Sequence, residues 1–220
     1  DMGYQGGLYR PSPYYAVKVP VFSFSKLADV DTQLGPEMKS TGEVLGVART
    51  MAEAIYKGLV AAGYRMEKSG GVLISVRDSD KGEIGMVAQL YHNLGFSLYA
   101  TQGTAEAIRR DGLPVTELPT LHEAHTPIQE LLEAGKIQYI ISTSAKGRLP
   151  IRDSVQLRRK AVELGIPCLT SLDTAVALAS SLESGYSEEN ISLVDMNHPK
   201  QTTPVTPGQE ELPLSRNAHA

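Results

Sequence analysis

The chain has 220 residues, 41% of them hydrophobic, with 21 basic residues against 25 acidic ones and a formal net charge of −4. That length holds one domain of ordinary size plus a smaller piece, or two small domains, with enough apolar content for a real core. The near-balanced charge excludes a general nucleic-acid surface, which needs a basic excess or a basic stripe.

Residues 1–13 contain Gly3, Gly6, Gly7, Pro11 and Pro13 and read as loop. Tyr14 to Phe24 alternates apolar residues with small or charged ones, a strand pattern in which Pro20 demands an edge or a bulge. Thr50 with Glu53 forms a capping-box signature. Ala52, Ile55, Tyr56 and Leu59 then set an apolar helical stripe that Gly63 ends. Met66 to Gly71 is a polar, glycine-ended connector where a domain boundary is expected, giving units at 1–68 and 69–200.

Beyond it, strands and helices alternate. Val72–Val76 is a buried-strand run, Asp78-Ser-Asp80 a turn, and Ile84, Val87, Ala88 and Tyr91 a helical stripe ending at Gly95. Phe96–Ala100 reads as strand, Gly103-Thr104 opens a helix that Gly112 closes, and Val115–Leu118 is a short strand. Ile128, Leu131 and Leu132 mark a helix ending at Gly135. Tyr139–Ile141 has the composition of a central strand, Ser154–Leu164 is helix, Cys168–Thr170 strand and Thr174–Leu182 helix. Such repeats predict an α/β domain with an open, doubly wound parallel sheet covered on both faces. Residues 201–220, with Pro204, Pro207 and Pro213 and no apolar period, read as a disordered tail. The single Cys168 forms no internal disulfide and predicts a buried structural thiol in a reducing compartment. With no apolar run of about 18 residues and no charged-then-apolar leader, a cytoplasmic location is expected.

Ligands in such sheets gather at the carboxyl ends of the strands, where strand order reverses. The polar strand ends here are Ser75 to Lys81, Thr101 to Thr104, Thr120 to His125, and Ser142 to Arg148. Thr101-Gln102-Gly103-Thr104 is the leading anion-site candidate, because two hydroxyls and a glycine stand where a strand hands over to a helix start. Lys81, Thr143, Ser144 and Lys146 add donors and positive charge on the same edge.

Two strings carry a family resemblance. Tyr15-Ala-Val-Lys-Val-Pro-Val-Phe-Ser-Phe-Ser-Lys-Leu27, with Leu34-Gly-Pro-Glu-Met-Lys-Ser-Thr-Gly-Glu-Val-Leu-Gly-Val47, resembles the end of the second ATP-grasp domain of the carbamoyl-phosphate synthase large subunit. Residues 72–198 resemble the methylglyoxal-synthase-like domain that ends the same subunit. That match runs through Leu98-Tyr-Ala-Thr-Gln-Gly-Thr-Ala105, Leu121-His-Glu123, Tyr139-Ile-Ile-Ser-Thr143 and Arg158-Arg-Lys-Ala-Val-Glu-Leu-Gly-Ile-Pro167. The resemblance implies a C-terminal fragment of a larger ligase: a partial ATP-grasp remnant, then a Rossmann-type regulatory domain. The parent enzyme would use ATP with magnesium or manganese, and the fragment alone would hold no cofactor and make no carbamoyl phosphate. Implied partners are a nucleotide or phosphoribosyl effector such as UMP, IMP or phosphoribosyl pyrophosphate, the rest of the large subunit, and the glutaminase small subunit. No nucleic acid or membrane partner is implied. Carried over by residue, the effector contacts fall on Ser75, Lys81, Thr101, Gly103, Thr104, Thr143, Ser144 and Ser154.

The chain also departs from the family. Thr120 stands where many regulated members place a lysine facing the effector phosphate, and Ser142 where they place asparagine. Losing one charge-assisted bond to phosphate removes roughly 1.5–3 kcal/mol. Val19 and Leu169 replace the acidic residues expected to hold ornithine in enteric members. These departures keep a second reading open, a structural cap of the same subunit with an empty effector site. A third, methylglyoxal synthase, needs a carboxylate base near His125-Thr126-Pro127, and none is there. The Asp78–Glu83 stretch lacks the third acidic ligand of a calcium loop. His122 and His125 read as loop residues, and Arg158-Arg159 as a solvated helix face.

Overall fold

The computed structural model describes residues 13–21, 42–119, 127–143 and 152–195. The predicted tail at 201–220, and the loops containing Thr120, His122, Glu123, His125 and Lys146, lie outside the described residues.

The first unit is a hairpin with a helix against it. β1 (Tyr15–Val21) pairs antiparallel with β2 (Gly42–Ala48), setting Val17 opposite Gly46 and Val19 opposite Val44. Pro20 sits in register opposite Glu43 in this two-stranded sheet, where every strand is an edge. α1 (Met51–Ala61) lies close on the hairpin: a Cβ added at Gly46 would collide with the Ala54 carbonyl oxygen and the Gly58 amide. The helix is capped by Thr50, whose hydroxyl accepts from the Glu53 amide at 3.2 Å.

The expected capping box is only half made. The Glu53 carboxylate is buried and turns to a distant partner, accepting from the Ser192 amide and hydroxyl, both at 2.6 Å. It also pairs with Lys57 at 3.0 Å. Lys57 in turn donates to the carbonyls of Val47 and Ser192. Two donors from Ser192 plus an ammonium outweigh one return bond to the cap, so a local motif gives way to a long-range latch.

The second unit is the predicted α/β domain. In chain order it contains β3 (Gly71–Ser75), α2 (Ile84–Asn93), β4 (Ser97–Thr101), α3 (Gln102–Arg110), β5 (Thr116–Leu118) and α4 (Pro127–Glu133). β6 (Ile137–Ser142), α5 (Arg152–Glu163), β7 (Cys168–Leu169) and α6 (Leu172–Glu183) complete it. The five strands are parallel in the order β5-β4-β3-β6-β7, a doubly wound, Rossmann-type sheet. One face, with Val72, Ile74, Ala100, Tyr139 and Ile141, packs against apolar residues of α1, α2, α3 and α6. The other, with Leu73 and Ile140, packs against Ile128 and Leu132 of α4 and Leu157 and Ala161 of α5. The predicted α2 stripe is fully buried at Ile84, Val87, Ala88 and Tyr91. Burial of each large side chain of this kind stabilises the fold by roughly 1.5–3 kcal/mol.

The two units share a core, because Ile55 and Leu59 of α1 join the cluster under α6. One expectation is corrected. Arg159 pairs with Glu163 at 3.3 Å on the surface, but Arg158 is buried at 1% exposure. The apolar neighbours of α5 enclose it beside Cys168, so only part of that face is solvated.

Candidate functional site

Strand order reverses between β3 and β6, whose following helices lie on opposite faces of the sheet. Ser75 ends β3 and stands in register with Ser142, which ends β6. Thr101 ends β4, and its hydroxyl donates to the Ser75 hydroxyl at 3.2 Å. The Thr143 amide donates to the Ser75 carbonyl at 3.2 Å. Three neighbouring strands thus end in hydroxyl residues at one crevice, where an open parallel sheet takes its ligands.

α3 starts on the spot. Thr101 is its N-cap but makes no side-chain cap bond, and the first-turn amides of a helix have no intrahelical acceptor. Lys81 approaches this turn closely. A Cβ at Gly103 would lie 2.5 Å from the Lys81 Nζ, so the ammonium rests against the helix start in the space this glycine leaves. An ammonium beside unpaired amides and the positive helix end favours an anion.

The remaining hydroxyls hold the architecture. Thr104, 1% exposed, accepts from the Val76 amide at 3.1 Å, which ties α3 to the chain leaving β3. Thr143 accepts from the Arg77 amide at 3.1 Å and donates to the Asp80 carboxylate. Asp80 also accepts from Arg77 Nε at 2.8 Å and Ser79 Oγ at 2.9 Å. Burial pushes its carboxyl up, but the bonds from Arg77, Thr143 and Ser79 and the Arg77 charge outweigh that and leave it below its ordinary value. The Asp78–Asp80 3-10 turn is therefore pinned at Asp80. Its other carboxylate, Asp78, is 93% exposed and reaches Lys81 at 2.7 Å.

Of the residues expected from sequence, Ser75, Lys81, Thr101, Gly103, Thr104 and Thr143 meet at this crevice. Ser144 lies outside the described residues. Ser154 sits in the first turn of α5, which packs on the face of the sheet opposite α3. Sequence reasoning placed Ser142 at a polar strand end and as a departure from the family; its hydroxyl is buried at 1% exposure and has no hydrogen-bond partner among the described residues. A buried polar atom left without a partner costs about 1–3 kcal/mol. The alternating charges Arg77-Asp78 and Asp80-Lys81 were the visible signal for the pinned turn. Among the described residues, no group of three or more His, Cys, Asp and Glu could hold a metal ion. Nor is any helix there long and apolar enough to cross a membrane.

A separate cavity of about 540 Å³ lies between the hairpin, α1, α5, β7 and α6. Val19 and Leu169 both line it, so the two positions where acids were expected for ornithine present apolar surface. Tyr64, Arg158 and Cys168 also line it. Burial pushes the Cys168 thiol up to about 12, while the nearby Arg158 charge pulls it down.

The sheet order and the two helical layers define a doubly wound α/β domain. Residues 83–170 match the model of the MGS-like domain, so the chain carries an MGS-like domain from α2 to β7. Among solved structures, methylglyoxal synthase from Elizabethkingia anophelis NUHP1 is 15% identical with a TM-score of 0.40, over 53% of this chain and 80% of that one. ForH is 19% identical with a TM-score of 0.40 over the same shares.

Proposed function

We propose that this chain is the C-terminal regulatory part of a cytoplasmic carbamoyl-phosphate synthase large subunit. Its MGS-like domain takes a nucleotide or phosphoribosyl effector at the strand ends. The observation that carries the reading is Lys81 resting on the first turn of α3 through Gly103, beside the Ser75 and Thr101 hydroxyls. That combination offers a phosphate one ammonium, free helix-start amides and small donors. The parent ligase would carry ATP and magnesium or manganese in its preceding part and work with a glutaminase subunit. Support for this parentage is the ATP-grasp-like string ahead of the MGS-like domain, and the purified 220-residue chain is then inactive in carbamoyl-phosphate formation.

Calorimetry with UMP, IMP and phosphoribosyl pyrophosphate tests the site. Binding that Lys81→Ala weakens, with an effect that shrinks as salt screens the charge, supports the reading. No binding of any of the three at millimolar concentration removes it.

One observation favours a second reading, a structural cap with an empty site. Thr104 and Thr143 spend their oxygens on backbone amides, and Lys81 already has a carboxylate partner. In that case the same titration is silent, while deleting residues 69–200 from the parent subunit impairs assembly.

A further inference from the structure

The turn after β3 carries two carboxylates with different attachments. Asp80 is held by Arg77, Ser79 and Thr143 and fixes the backbone. Asp78 is 93% exposed, and among the described residues its side chain is held by Lys81 alone. Lys81 is the ammonium that lies on the first turn of α3. We infer that Asp78 is a built-in competitor for the anion site: its carboxylate occupies Lys81 when the site is empty and leaves when a phosphate arrives. This rests on the anion-site reading above and adds how that site is tuned.

The physical case has three parts. First, an exposed ion pair of this kind is weak, so a dianionic phosphate that also reaches the helix-start amides displaces the carboxylate. Second, because the turn is pinned at Asp80, Asp78 swings out by side-chain rotation alone, with no backbone rearrangement. Third, the displaced carboxylate stays near the bound anion and repels it, so Asp78 lowers affinity in both states. The Ser142 hydroxyl, in register with Ser75 at the next strand end, is buried and has no hydrogen-bond partner among the described residues.

The test is titration of the full chain with inorganic phosphate, followed by calorimetry at low and moderate salt. Wild type is compared with Asp78→Asn, and Glu83→Gln serves as a control that removes a nearby exposed charge not paired with Lys81. Asp78→Asn is expected to bind phosphate about threefold to tenfold tighter, with a smaller gain at higher salt. Glu83→Gln is expected to change affinity by less than about twofold. Adding Lys81→Ala to Asp78→Asn should abolish the gain. Equal gains from Asp78→Asn and Glu83→Gln would reduce the effect to the general field and overturn the competitor role. If wild type binds and Asp78→Asn binds no tighter, the competitor role fails and the anion site stands. If neither binds, the anion site itself falls, and the competitor role falls with it.

Discussion

The Thr104 hydroxyl oxygen lies 3.1 Å from the Val76 amide and joins the first turn of α3 to the end of β3. At 1% exposure this oxygen has no access to water, so removing it leaves a buried amide without an acceptor. Thr104→Val keeps the shape and should cost about 1–3 kcal/mol of stability. Urea unfolding should show it as a lower midpoint at unchanged slope. Thr101→Val, at a partly exposed position, should cost less.

Glu53 makes the fold acid-sensitive at one point. Burial raises its carboxyl, but the Ser192 hydroxyl and amide and Lys57 outweigh that and leave it below its ordinary 4.5. A carboxyl with a lowered folded value adds stability that is complete above 4.5 and lost as pH falls through the folded value. Glu53→Gln should therefore destabilise the protein at neutral pH by about 2–3 kcal/mol. It should also flatten the acid limb of stability against pH below about 4.5. An acid limb identical to wild type would show that Glu53 is not the titrating group.

At Gly46 the hairpin runs directly against the backbone of α1. A methyl there meets backbone on α1, the Ala54 carbonyl and the Gly58 amide, and backbone cannot rotate aside. Gly46→Ala should cost more than about 2 kcal/mol or lift the hairpin from α1. Limited proteolysis is the readout: faster cutting within residues 42–50 than in wild type, with the α/β sheet still protected.

Cys168 should be slow to react. Its thiol is pushed from 9.0 to about 12, so thiolate is scarce at pH 8. Iodoacetamide labelling followed by intact mass should be far slower in the folded protein than in denaturant. Equal rates would mean that the cavity wall opens readily.

The elements of the α/β unit were legible because their signals are local, whereas β2 (Gly42–Ala48) was not read as a strand, since Gly42 and Gly46 break its apolar pattern. The α2 stripe, the glycines at 95, 112 and 135, and the run Tyr139–Ile141 each declare their element within a few residues. The crevice at the strand ends was legible for the same reason, since Thr101 to Thr104 reads locally as a strand-to-helix junction. What escaped was set by distant partners. Glu53 reads as half of a capping box, yet Ser192 takes its carboxylate from far along the chain. Arg158 has a polar neighbour in sequence but lies at the join of α5, β7 and the hairpin, which no periodicity announces. Asp78 and Asp80 look alike in the sequence, yet Arg77, Ser79 and the distant Thr143 make Asp80 an anchor, while Asp78 stands exposed against Lys81.

The end of the connector after α1 is fastened at Glu67, Gly70 and Gly71. Tyr139 donates its hydroxyl to the Glu67 carbonyl at 2.8 Å, the Ser97 amide donates to the Gly70 carbonyl at 2.8 Å, and the Gly71 amide donates to the Gln138 side chain. Gly70 holds a φ of 123° and has the Gln138 amide pressed against it, a position where any side chain would be both strained and crowded. The stretch between the units is thus a seam sewn to β4 and β6. A single inserted residue between 67 and 71 would pull these stitches out of step, whereas most surface loops of equal length accept such an insertion easily.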